Sequence, residues 1–212
     1  PTALILAAAP GKRFWPYSVV RNKAAFPIAN SPLIRRLVED VTGLGIERIV
    51  VVVGEGEASV RAALRGAPGD IRFVRQPRPA GTADAALHAA AGVAGDLLIL
   101  PGDIAAAPAN LAALLECFHA ERPLAAALIQ PLGDEQPHDW LVAYPESGRL
   151  AGVEGHSRDG HHRLCGVYAL RAEALDYLRD NPGVMGSVPV GGMPPLEAEI
   201  AQSVQVMIDE GQ

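Results

Sequence analysis

Apolar residues fall along this chain in two alternating rhythms. The runs at 2–8, 48–53 and 97–100 carry aliphatic and β-branched residues on both faces of an extended backbone, which predicts strands buried from both sides. Between the first two, Leu33, Ile34, Leu37, Val38 and Val41 recur at helical spacing. Ser31 is the expected N-cap and Pro32 the first helical residue, with Gly43 and Gly45 as the stop. Residues 58–64, 82–91 and 110–120 read as further helices, and 71–74 and 124–129 as further strands. This alternation predicts right-handed crossover units, hence a mostly parallel sheet with helices on both faces. Beyond Pro131 the pattern changes to short strands at 140–144, 150–154 and 164–170, set among glycines and charged turns, which predicts a mixed or antiparallel extension. Helices at 173–178 and 197–210 close the chain. With no internal repeat and no low-complexity linker, the 212 residues are expected to form one domain.

Composition narrows the function classes. The chain is 49% hydrophobic and carries a net charge of −6, which disfavours nucleic acid as a partner because phosphate tracks are bound through clustered cations. No run is long and apolar enough for a membrane span, and the first residues lack a basic n-region, so a cytoplasmic protein with no membrane partner is expected. Cys117 and Cys165 are the only cysteines and are expected as reduced thiols. His156, His161, His162 and Cys165 match no standard zinc spacing. A G-x-S-x-G nucleophile elbow is absent.

In open α/β sheets ligands bind beyond the carboxyl ends of the strands, so the loops that follow strands are the informative ones. The first, Ala9-Pro10-Gly11-Lys12-Arg13, joins small residues to two cations, as a phosphate site does. It is not a P-loop, since Leu6 and Arg13 stand where glycine and a hydroxyl residue belong. Only two of the 18 cationic residues are lysines, Lys12 and Lys23, and both lie in the first 23 residues, which suggests a need for compact ammonium groups there. Gln76 precedes a proline-rich loop and could read a base edge, while Gly81-Thr82-Ala83-Asp84 opens a helix. Asp103 directly follows a buried strand, where a carboxylate can serve as a hard oxygen ligand for magnesium beside a triphosphate.

Taken in order, these motifs resemble the sugar-1-phosphate nucleotidylyltransferases. Leu6-Ala7-Ala8-Ala9-Pro10-Gly11-Lys12-Arg13 is similar to that family's L-A-A-G-x-G-x-R loop, and Asn22-Lys23 to its P-K segment. Gln76 with Gly81-Thr82-Ala83-Asp84-Ala85 resembles the base-reading glutamine and G-T-A-x-A helix, and Gly102-Asp103 the metal-binding G-D. Glu154, Gly166-Val167-Tyr168 and residues 197–211 resemble the later E-K, G-i-Y and E-x-x-L-T-D motifs. The resemblance implies a three-layer α/β/α Rossmann-like mixed sheet of the nucleotide-diphospho-sugar transferase type. It implies that a nucleoside triphosphate, UTP or dTTP favoured, is joined to a sugar 1-phosphate with release of pyrophosphate. By the same likeness Arg13 and Lys23 are catalytic, and Leu6, Ala8, Ala9, Gly11, Gln76, Gly81 and Thr82 bind the nucleotide. Glu154 and Gly166 bind the sugar, and Asp103 holds Mg²⁺.

Several positions depart from the pattern. Ala9 replaces a glycine, Asn22 a proline, Gly155 a lysine, Leu164 a sugar-binding asparagine and Gln202 an aspartate. Nucleotide-side features are better kept than sugar-side ones, which leaves a nucleotide-sensing paralogue and a cytidylyltransferase as alternative readings. A homo-oligomer, and a longer protein of which this is the N-terminal part, are both compatible with the likeness.

Overall fold

The computed structural model describes residues 1–137, 140–155, 157, 159–181 and 197–212, and of Arg13 the backbone only. The elements run β1 (Thr2–Ala7), β2 (Pro27–Ile28), β3 (Ser31–Pro32), α1 (Leu33–Gly43), β4 (Arg48–Val53), α2 (Glu57–Ala63), β5 (Asp70–Arg75) and α3 (Thr82–Ala90). They continue as β6 (Leu97–Pro101), α4 (Pro108–Glu121), β7 (Ala125–Pro131), β8 (Leu141–Glu146), β9 (Arg149–Gly155), β10 (His162–Leu170), α5 (Ala174–Arg179) and α6 (Ile200–Asp209). One eight-stranded sheet has the order β5-β4-β1-β6-β10-β8-β9, with β7 also paired to β10. The β1, β4, β5 and β6 pairings are parallel, and β10 runs antiparallel to β6, β7 and β8. The expected mixed sheet is therefore present, with the parallel half formed first along the chain.

Strand alternation assigns the two faces. Leu4, Val50, Val52, Leu97 and Ile99 point into an apolar layer shared with α3, α5 and α6. Their neighbours Ala3, Ile5, Val51, Leu98 and Leu100 point the other way, into a layer shared with α1, α2 and α4. Each of these strand residues is at most 4% exposed, so the β-branched runs are strands covered on both sides and the architecture has three layers.

The chain leaves β1, crosses to β4 and β5 on one side, then returns through α3 to β6 on the other side of β1. That reversal opens a crevice beyond the carboxyl ends of β1 and β6. A second irregularity deepens it. Between Leu164 and Tyr168 the register of β10 shifts, with Gly166 at φ 74°, so that the strand follows β6 at one end and meets β8 at the other. A side chain at Gly166 would come within 3.2 Å of Pro101 at the end of β6, so a small residue keeps this fork open.

The starts of α1 and α6 differ from the sequence expectation for reasons the structure shows. Ser31 does not cap α1: Ser31 and Pro32 pair with Ile28 and Pro27 in a two-stranded ribbon, Pro32 takes the N-cap position and the helix begins at Leu33. The α6 helix begins at Ile200 rather than 197, because the backbone of Ala198 is drawn into hydrogen bonds with Ala80 and Ala83 at 2.9 and 2.8 Å.

Candidate active site

The first loop is fixed by Gly11 and by Asn22. Gly11 adopts φ 64° and opens a 3₁₀ turn over Lys12–Phe14. The backbone before Lys23 is held by the buried side chain of Asn22. Its Nδ2 donates to the Ala7 carbonyl at the end of β1, its Oδ1 accepts from the Ala24 amide, and its own amide donates to Ser59 Oγ. An asparagine in place of proline thus ties the lysine segment to both β1 and α2. Gly54 completes this corner, since a Cβ there would meet the Ala8 carbonyl oxygen at 2.6 Å.

So placed, Lys23 reaches across the crevice to the loop after β6. Its Nζ lies 2.6 Å from Asp103 Oδ2. Gly102 holds the other side of this contact: its amide donates to the Leu6 carbonyl at 2.8 Å, which brings the β6 loop against the end of β1. The stem of Lys23 runs beside Gly11, where a Cβ would stand 3.7 Å from its Cγ and Cδ.

Lys23 and Asp103 border a cavity of about 350 Å³, within the range of small-molecule sites. Leu6, Ala8 and Ala9 form one wall, and Gln76, Gly81 and Thr82 another. Gly166 lies opposite, at the fork in β10. Nine residues singled out from the sequence therefore converge on one place. Ala9 is not among the residues with positive φ, so its methyl group is accommodated without strain. Gly11 supports Lys23 from behind rather than lining the cavity. The side chain of Arg13, the expected second catalytic cation, lies outside the described residues, as does His156.

Gln76 is buried with its amide orientation set by its surroundings. Nε2 donates to Asp84 Oδ2 at 2.6 Å and to the Gly81 carbonyl at 3.2 Å, leaving Oε1 as the acceptor of the group. Two acceptors around the nitrogen exclude the flipped amide. Thr82 has no such freedom: its hydroxyl donates to Glu199 Oε2 at 2.7 Å and accepts from the Ile200 amide at 2.9 Å. From the cavity wall it joins α3 to the start of α6.

Glu154 stands apart. It is exposed, pairs across the ladder with Val142, and accepts from the Tyr144 hydroxyl at 2.9 Å. Its neighbour Val153 and the cross-strand Ala143 face the core layer instead, so strand alternation turns Glu154 away from the cavity. Besides Asp103, the carboxylates that line it are Glu197 and Glu199, and Tyr168 and Cys165 lie beside them. Burial pushes the Glu199 carboxyl above its ordinary range, with the hydrogen bond from Thr82 partly offsetting the shift. Burial likewise raises the Tyr168 hydroxyl and the Cys165 thiol. The Glu199 carboxylate and Gln202 form a reciprocal capping box at the start of α6, which is what the glutamine at the expected aspartate position does. The sequence reads Glu197 and Glu199 as the first turn of a helix over 197–210 and so does not single them out as site residues.

Among the described residues no three metal-ligating side chains cluster, and no helix is long and apolar enough to cross a membrane.

Comparison with known proteins agrees with the geometry. Residues 3–183 match the family model of the MobA-like NTP transferase domain. The chain is 33% identical over 196 residues to the bifunctional protein GlmU of Pelobacter propionicus, and 31% identical over 144 residues to that of Listeria monocytogenes. These matches cover 87% and 66% of this chain but only 41% and 30% of the relatives, so the chain spans less than half of their length. A UDP-glucose pyrophosphorylase complexed with UDP-glucose superposes with a TM-score of 0.83 at 19% identity, covering 99% of this chain and 87% of that one. A Bacillus anthracis protein assigned as a glucose-1-phosphate thymidylyltransferase gives 0.83 at 20% identity, covering 99% and 83%. At those identities the superpositions bear on the fold, which is that of the nucleotide-diphospho-sugar transferases. The resemblance to the sugar-1-phosphate nucleotidylyltransferases is borne out, and the chain belongs to the family of MobA-like NTP transferase domains.

Proposed function

We propose that the protein is a nucleotidylyltransferase that joins a nucleoside triphosphate to a sugar 1-phosphate. A phosphate oxygen of the sugar attacks the α-phosphorus in line; the new P–O bond forms as the α–β bond breaks, and the departing pyrophosphate takes the electron pair. The observation that carries this reading is the meeting of Lys23 and Asp103 in the cavity that Gln76 also lines. The names of the structural neighbours point to the same reaction type.

Phosphoryl chemistry asks the protein mainly to position and to neutralise. Backbone amides near Gly11 and the Arg13 guanidinium would hold the β- and γ-phosphates. The Lys23 ammonium, a compact donor, would meet the charge that grows at the α-phosphate. Asp103 fits a magnesium ion: it is a hard carboxylate oxygen, about one-third exposed, on which a cation already rests. Magnesium commonly takes one or two carboxylates and fills its shell from phosphate and water, so one aspartate suffices. Held there, it would supply charge neutralisation to the phosphates.

The Gln76 oxygen is suited to accept the imide N–H of uracil or thymine, whereas the corresponding ring nitrogen of cytosine is itself an acceptor. UTP or dTTP is therefore favoured over CTP. The test is pyrophosphate release with each nucleoside triphosphate, magnesium and a panel of sugar 1-phosphates. Release with UTP or dTTP is expected; nucleotide binding with no release from any combination would identify a sensor instead.

A further inference from the structure

We propose that Asp84, from behind the cavity wall, sets the base preference of the site by fixing which end of the Gln76 amide faces the nucleotide. The inference rests on the nucleotidylyltransferase reading and adds the positioning residue that decides between uracil or thymine and cytosine.

A glutamine amide does not choose a pyrimidine by itself. Its oxygen accepts, its nitrogen donates, and a half-turn about the last bond exchanges the two. Presented oxygen first, it pairs with the N3–H of uracil or thymine; presented nitrogen first, it pairs with the bare N3 of cytosine. The choice is made by what stands around the amide.

Here the surroundings are one-sided. Gln76 follows β5 and is only 6% exposed, so water does little to replace a hydrogen bond that the protein withholds. Its Nε2 donates to Asp84 Oδ2 at 2.6 Å and to the Gly81 carbonyl at 3.2 Å. Both N–H groups are thereby used, and the oxygen is left for the cavity that Gln76 lines. An ionised carboxylate offers acceptors only, so a reversed amide would set its oxygen against two acceptors.

Asp84 is the side chain in this arrangement, and it carries the shorter of the two bonds. An acidic residue in the first turn of α3 has an ordinary use, since it complements the positive end of the helix dipole. That use does not account for where the carboxylate goes. Among the described residues it receives no helix amide; its Oδ2 meets Gln76 and stands 3.5 Å from Nδ1 of His88, one turn further on. Gln76, Gly81 and Ala85 line the cavity and Asp84 does not, so its influence on the base passes through the glutamine.

The test is calorimetric titration of the intact protein with the magnesium complexes of UTP and CTP, for wild type and Asp84→Asn. Asparagine keeps the shape of the aspartate but can turn a donor toward Gln76, which admits the reversed amide. Wild type is expected to bind UTP at least about tenfold more tightly than CTP, and Asp84→Asn to lower that ratio at least about fivefold. Asp84→Ser, whose hydroxyl both donates and accepts, should lower it as well. An aspartate that only supported α3 would, on removal, weaken both nucleotides alike and leave the ratio in place. With Gln76→Ala already present, Asp84→Asn should change the ratio by less than about twofold, because the residue through which it acts is gone. A wild-type protein that does not discriminate UTP from CTP would overturn the proposal. So would a ratio kept in the folded Asp84 variants, or an equal fall in the absence of Gln76. Pyrophosphate release with a panel of sugar 1-phosphates, measured in parallel, separates the two claims. Release from UTP with a ratio that Asp84 does not move keeps the reaction and removes this inference; a ratio that moves with Asp84 in a protein that releases no pyrophosphate does the reverse.

Discussion

The ammonium nitrogen of Lys23 rests 2.6 Å from the Asp103 carboxylate, across the crevice where the sheet reverses its order. With the side chains 32% and 34% exposed, water screens the pair, and contacts of this kind stabilise a fold by only ~0–1 kcal/mol. The pair is therefore poorly explained as a support for the fold. Its consequence is positional: one cation and one carboxylate are held together at the mouth of a cavity, where a phosphate and its metal would need them.

Lys23→Arg separates charge from shape. The substitution keeps the positive charge but replaces a point donor with a broad planar fork, beside a glycine whose Cβ position is already in contact with the lysine stem. We expect pyrophosphate release to fall by about tenfold or more while urea denaturation shows less than about 1 kcal/mol change. Release at the wild-type rate would show that any cation serves.

Asn22→Ala removes a buried group with two side-chain hydrogen bonds, one to the end of β1 and one to the turn that carries Lys23. Each costs roughly 1–3 kcal/mol when its partner is left buried and unpaired. Chemical denaturation should show a loss of about 2 kcal/mol or more, and turnover should fall as well because the lysine segment loses its anchor. Stability unchanged within error would mean that the asparagine is incidental.

Glu154→Gln tests the separation of the exposed carboxylate from the cavity. Since Glu154 accepts from Tyr144 on the outer side of β9, sugar 1-phosphate KM should stay within about twofold of wild type. A large rise in KM would place this residue in the sugar site after all.

The raised Glu199 carboxyl gives stability a definite pH dependence. A carboxyl group that binds its proton more tightly folded than unfolded stabilises the protein fully below its ordinary value of 4.5. That contribution is lost as pH rises through the higher folded-state value. Glu199→Gln should therefore flatten the fall in thermal midpoint from pH 4.5 upward, and an unchanged slope would assign the fall to other groups.

The parallel strands were legible because β1, β4 and β6 are apolar on both faces, and Asp103 was legible because it follows such a strand directly. Asn22 carried a readable signal that its comparison with proline obscured: an asparagine two residues before an amide it can cap. Glu199 carried almost none. Residues 197–199, Glu-Ala-Glu, are good helix formers directly ahead of the helix, and the backbone of Ala80 and Ala83 holds them out of it. Gly81 permits that approach, since a Cβ there would meet the Ala198 carbonyl at 2.3 Å. The face presented by Glu154 depends on how β9 registers with β8, a pairing that a motif match does not reveal.

The most direct test of the site is equilibrium binding of magnesium–UTP to the wild-type protein, to Asp103→Asn and to Lys23→Met, with circular dichroism confirming that each variant is folded. If the two side chains grip a metal-bound triphosphate, both substitutions weaken binding by about tenfold or more, and the Asp103 variant also loses most of its dependence on magnesium. Equal affinity in all three folded proteins would contradict the assignment of this crevice.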